Sequence, residues 1–118
     1  MSVYETKVVN IGSDAAMFKE ENMIVLFGEN APADLADYTY NVEVTPVKET
    51  ITTGMTLMID SAEFIITAVG DVVEKNLNDL AHITIRFNGA NEAELAGTLY
   101  VEGKEIPDIS IGTMIVIK

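Results

Sequence analysis

Short β-branched and apolar runs recur along the whole chain, and Gly, Pro, Asn or Asp interrupts each one before it reaches the length of an ordinary helix. Tyr4-Glu-Thr-Lys-Val-Val-Asn-Ile11 reads as a first strand that Gly12 ends. Met23-Ile-Val-Leu-Phe27 is a continuous apolar run, expected to be a central strand covered on both faces. In Tyr40-Asn-Val-Glu-Val44 the alternation turns Tyr40, Val42 and Val44 inward. Residues 55–59 and 63–69 form a hairpin about Asp60, Ser61 and Ala62. Residues 82–87, 98–102 and 113–118 supply the remaining strands, and Asn88-Gly89 is a tight-turn signal. Roughly eight short strands at ~8–12-residue spacing make the chain all-β, a sandwich or a barrel. A small closed or partly open β-barrel is preferred, because closure removes unpaired strand edges.

One or two short helices complete this expectation. Ser13 or Asp14 can cap a helix through about Glu21, with Met17 and Phe18 as its buried contacts. Residues 71–80 carry Val73, Leu77 and Leu80 at helical spacing, and Asp71 with Glu74 fits a capping box. Leu35 to Tyr38 is either a single helical turn or a loop. The 118 residues read as a single domain, 1–118, with no internal repeat and no linker.

Composition narrows the function. Seven basic residues against nineteen acidic ones give a formal charge of −12, a field that repels nucleic acid and anionic membrane. Small ligands and protein partners remain. The absence of cysteine excludes disulfides and thiol catalysis. No apolar run is long enough to span a bilayer, and the opening Met-Ser-Val-Tyr-Glu-Thr-Lys has no signal pattern. There is no P-loop, no Gly-x-Ser-x-Gly and no metal-ligand spacing.

One stretch carries evident chemistry. In Ala81-His-Ile-Thr-Ile-Arg-Phe87, Ile83, Ile85 and Phe87 fall on one strand face, and His82, Thr84 and Arg86 on the other. His82 is the only histidine of the chain. Next neighbours on one strand face lie ~7 Å apart, so a phosphate could meet imidazole, hydroxyl and guanidinium in a row. A metal could not, because only the imidazole is a good ligand. The bland alternative is a half-buried histidine at a strand end, with Thr84 and Arg86 on a solvated face. Glu92 and Glu94 read as a charged loop rather than a carboxylate dyad. The helix start at residues 70–74 offers free N–H groups to an anion.

Ala31-Pro-Ala-Asp-Leu35 with Tyr38, Thr67-Ala-Val-Gly70, Asn76-Leu77, His82-Ile-Thr-Ile-Arg-Phe87 and Asn88-Gly89 with Asn91-Glu-Ala-Glu94 occur in this order along the chain. Each is weak alone. Their ordered sum resembles the glucitol/sorbitol-specific IIA component of the bacterial phosphoenolpyruvate-dependent sugar phosphotransferase system. The resemblance implies a cytoplasmic phosphotransferase without a cofactor of its own. Such a protein accepts a phosphoryl group from the histidine-containing phosphocarrier protein on a histidine and passes it to the IIB component. The membrane-embedded partner of IIB then imports and phosphorylates the hexitol. Members of the family often carry histidine after the Ala-Pro-Ala-Asp-Leu motif, where this chain has Asn41, Val42, Glu43 and Val44. His82 is therefore the expected acceptor, with Arg86 and Thr84 as phosphate-stabilising groups. The alternative is a phosphotransfer-inactive protein of the same fold that binds sugar-system or regulatory partners.

Overall fold

The computed structural model describes residues 2–118. Eight strands close into one barrel: β1 Tyr4–Ile11, β2 Met23–Gly28, β3 Tyr40–Val42, β4 Thr56–Ile59, β5 Ala62–Val69, β6 Ile83–Phe87, β7 Thr98–Val101 and β8 Met114–Ile117. Around the barrel they run β1-β3-β2-β6-β7-β5-β4-β8, and β8 pairs back onto β1. A 3-10 helix spans Ala15–Glu21, α1 spans Ala33–Ala36 and α2 spans Val73–Leu80. The all-β barrel expectation holds.

The period-two pattern explains the closure. Ile83, Ile85 and Phe87 of β6 point into the barrel beside Ile24 and Leu26 of β2 and Leu99 and Val101 of β7, all buried. Phe64 meets Phe87 edge-on, ring centroids 5.0 Å apart. Each such side chain contributes ~1.5–3 kcal/mol on burial, so the inward parity alone fixes the register.

Local expectations fared unevenly. Met17 is 51% exposed and Phe18 half-buried, because the 3-10 helix turns only Ala15 inward. Val44 lies past the end of β3 and is exposed, so alternation there outruns the strand. Leu80 is exposed at the end of α2. Neither Asp14 nor Asp71 makes a capping bond, since the cap positions, Asp14 and Val72, have no side-chain hydrogen bond. On β2, Met23 and Val25 are only half-buried, so the upper part of that strand is not covered on both faces. Asn88-Gly89 does turn the chain, with Gly89 at φ 66, but it does not make a hairpin. β6 and β7 pair in parallel, joined by residues 88–97.

That parallel pair exposes an internal repeat absent from the sequence-based expectation. β2 and β3 are also parallel, and β2 pairs antiparallel with β6 at the centre. Each half is a bulged strand, a glycine, a short helix with a left-handed end, a strand, a crossover and a parallel strand. The backbone bonds repeat as well. Gly12 N–H donates to the Thr39 carbonyl and Gly70 N–H to the Thr98 carbonyl, both at 3.0 Å. Asp14 N–H donates to the Asp37 carbonyl as Val72 N–H does to the Ala96 carbonyl. The pseudo-twofold axis passes between Val25 and Thr84, partners at the centre of the β2–β6 ladder.

The two glycines hold the crossovers in place. A Cβ at Gly12 would collide with the Ala36 carbonyl oxygen, and one at Gly70 with the Ala96 carbonyl oxygen. Both obstacles are backbone and cannot swing aside. Gly12→Ala and Gly70→Ala should each lower stability by about 1–3 kcal/mol, the usual cost of overpacking. Gly97→Ala, whose Cβ would sit 3.5 Å from the Asn76 amide nitrogen, should stay within about 0.5 kcal/mol of wild type in urea unfolding. Equal losses at all three glycines would contradict this account.

Candidate functional site

The end of α2 delivers His82 to the outside of the barrel. Ala81 takes a left-handed conformation at φ 52, and the N–H groups of Ala81 and His82 bond back to the carbonyls of Leu77 (3.1 Å) and Asn76 (3.2 Å). A left-handed residue ends a helix abruptly. The chain therefore reverses into β6 with His82 immediately before the strand, on the outward parity.

Two contacts hold the imidazole. Its Nδ1 lies 3.0 Å from the Leu26 carbonyl oxygen across the β2–β6 ladder. A carbonyl only accepts, so Nδ1 carries the proton and donates, and Nε2 keeps its lone pair. Among the described residues no protein group hydrogen-bonds Nε2. The ring stacks on Phe27, centroids 4.2 Å apart and planes inclined by 25°.

Beside the ring opens a cavity of about 250 Å³, lined by Phe18, Val25, Leu35, Tyr38, Thr39 and His82. Its walls are apolar. Phe18 and Tyr38 meet at 6.4 Å, and the lining residues Leu35 and Tyr38 stay exposed. The Thr39 hydroxyl is already committed, donating to the Ala36 carbonyl (3.4 Å) and accepting from the Asn41 amide (3.1 Å). These wall residues come from the 3-10 helix, β2 and the α1 crossover. Sequence reasoning placed Phe18 in the core and assigned no site role to the others. The available signal was the Ala31-Pro-Ala-Asp-Leu35 stretch with Tyr38, which is the crossover that forms the wall.

Thr84 and Arg86 share the outward face with His82 but do not line this cavity. Thr84 stands in register with Val25 and Thr98, Arg86 with Met23 and Tyr100. Arg86 is the only arginine in the sequence. Among the described residues no carboxylate lies within ion-pair distance of its guanidinium, and its Nε is buried without a hydrogen-bond partner. The segment Asn41 to Val44 holds no imidazole. Asn41 is buried in a hydrogen-bond chain with Thr39 and Asn10, and Val42 is fully buried in the core. Among the described residues no cluster of His, Asp or Glu could hold a metal, and no helix is long and apolar enough to cross a membrane.

Comparison with known proteins gives first the class and then the family. The crystal structure of a PTS system IIA component from Enterococcus faecalis V583 superposes with a TM-score of 0.85 at 31% identity, covering 95% of this chain and 97% of that one. The family model for the PTS system glucitol/sorbitol-specific IIA component matches residues 3–116. The chain belongs to that family. Glucitol/sorbitol-specific EIIA components of Shigella flexneri and of Escherichia coli (strain K12) are each 36% identical to it over 113 residues, which is 96% of this chain and 92% of theirs.

Proposed function

We propose that this protein is a cytoplasmic phosphocarrier of glucitol/sorbitol uptake, with Nε2 of His82 as the phosphoryl acceptor. The observation that carries the reading is the Nδ1–Leu26 bond, which leaves the lone pair of a neutral imidazole on the outer nitrogen. The donor is the histidine-containing phosphocarrier protein, and the acceptor is the IIB component of the permease. Nε2 attacks the phosphorus of the donor's phosphohistidine in line. The donor's P–N bond breaks, and its electron pair returns to the donor's ring nitrogen. Transfer to IIB repeats the step in the other direction.

Such transfers ask the protein for positioning and charge stabilisation rather than covalent work. Arg86 and Thr84 are the groups we assign to the phosphoryl oxygens. A guanidinium with no carboxylate partner among the described residues, in a chain of charge −12, is available to an anionic ligand. The exposed apolar side chains of the cavity wall, Leu35 and Tyr38, supply contact area for the partner proteins.

The test is to incubate the protein with phosphoenolpyruvate and the two general phosphotransferase proteins and then weigh it. A gain of a single acid-labile phosphoryl group is expected. No gain, with the general proteins active on another substrate, would leave only the phosphotransfer-inactive interaction protein.

A further inference from the structure

We propose that Phe27 is a positioning residue: its ring holds the His82 imidazole against the Leu26 carbonyl and so decides which ring nitrogen is free to react. The tautomer part of this proposal stands on geometry alone, and its consequence for phosphorylation rests on the function proposed above.

A histidine at the outer surface of a barrel has broad freedom about its terminal torsion. A single hydrogen bond to a carbonyl is a weak restraint where water competes for both partners. Free histidine, moreover, prefers the opposite tautomer, with the proton on Nε2. Something further must keep Nδ1–H on Leu26, and the stack at 4.2 Å with a 25° tilt is the contact that removes the competing ring orientations. Phe27 is itself fixed. It lies on the outward parity of β2, yet only 7% of it is exposed, whereas Met23 and Val25 on the same face are half-buried.

The pseudo-twofold axis provides an internal control. Phe27 and His82 face each other at one end of the β2–β6 outer face, and Arg86 and Met23 occupy the equivalent pair at the other end. The glycines, the left-handed helix ends and the crossover bonds recur in both halves. The aromatic–imidazole pair does not recur. The barrel therefore closes at the equivalent register without such a stack, and the stack serves the imidazole rather than the fold.

The experiment uses the full chain with ¹⁵N-labelled histidine, unphosphorylated, at a pH where the imidazole is neutral. Wild type should show a protonated Nδ1 and an unprotonated Nε2. Phe27→Leu should show averaged nitrogen shifts, and Phe27→Tyr should restore the wild-type pattern. After phosphorylation, wild type and Phe27→Tyr should carry phosphate on Nε2 alone, and Phe27→Leu on both nitrogens. For Phe27→Leu, kcat should fall about tenfold with KM for the donor protein unchanged. A wild-type proton on Nε2 would overturn the proposal before any variant is made, so a misfolded Phe27→Leu cannot shelter it. Wild-type shifts and rate in a folded Phe27→Leu would overturn it as well. If wild type takes no phosphate on His82, the proposed function fails, and the nitrogen shifts still decide whether Phe27 positions the ring.

Discussion

His82→Gln should reduce phosphoryl incorporation from a single group per chain to none while leaving the barrel folded. The glutamine amide is a donor of similar reach, able to keep the bond to the Leu26 carbonyl that Nδ1 makes at 3.0 Å. Its flat amide can also rest on Phe27, so the loss of stability should stay near ~1 kcal/mol, that of one ordinary surface-side hydrogen bond. What it lacks is a nucleophilic lone pair. No other imidazole exists in the chain, and no thiol can substitute. Removing a sole nucleophile typically costs ~10⁴-fold or more in rate, far beyond what a positioning defect produces. Intact-mass measurement before and after mild acid, with His82→Ala as a second variant, reads the result. Label that persists in both variants would move the acceptor to a residue outside the site described above.

The features legible in the sequence are those that alternation controls. β1 runs from Tyr4 to Ile11 as its composition implies, and β6 turns Ile83, Ile85 and Phe87 inward and Thr84 and Arg86 outward. Parity is a local property, and burial enforces it. Partner choice is not local. Nothing in Asn88-Gly89 distinguishes a hairpin turn from the first step of a crossover, and the parallel β6–β7 pairing is decided by the closure of the whole barrel. The internal repeat was hidden for a related reason. Its halves share backbone hydrogen bonds and two close-approach glycines, whereas their side chains have diverged. Ala33-Asp-Leu-Ala36 and Ala93-Glu-Leu-Ala96 are the plainest surviving echo. The site divides in the same way. The row of His82, Thr84 and Arg86 follows from one strand. The cavity wall needs Phe18 and Tyr38, which lie remote from His82 in the chain and meet it only in the fold.

Arg86→Lys should slow phosphotransfer by ~10²–10³-fold without unfolding the protein, if its guanidinium contacts the phosphoryl group in the transition state. The structure makes the substitution structurally mild. Arg86 is on the outward parity between Met23 and Tyr100, and it has no carboxylate partner to lose among the described residues. Lysine keeps the stem packing and the charge, and it removes the buried Nε that now lacks a partner. It also loses the planar fork that grips two phosphoryl oxygens at once, so the change is not conservative at a phosphate site. Geometry sets the demand on that fork. Arg86 lies four positions beyond His82, ~13 Å between Cα atoms in extended chain, so an extended guanidinium has to reach past Thr84 to meet a phosphoryl group on Nε2. The shorter Thr84 provides an independent check. Thr84→Val preserves the strand and its pairing with Val25 and Thr98 and removes one hydroxyl, and it should cost several-fold less than Arg86→Lys. Both rates belong at two salt concentrations, because the field of a chain of charge −12 also acts on its encounter with any charged partner. A chemical defect keeps its ratio to wild type as salt rises, whereas a steering defect shrinks. An Arg86→Lys rate within a few-fold of wild type at both concentrations would place Arg86 outside the phosphoryl site and leave stabilisation of the transition state to groups of the partner proteins.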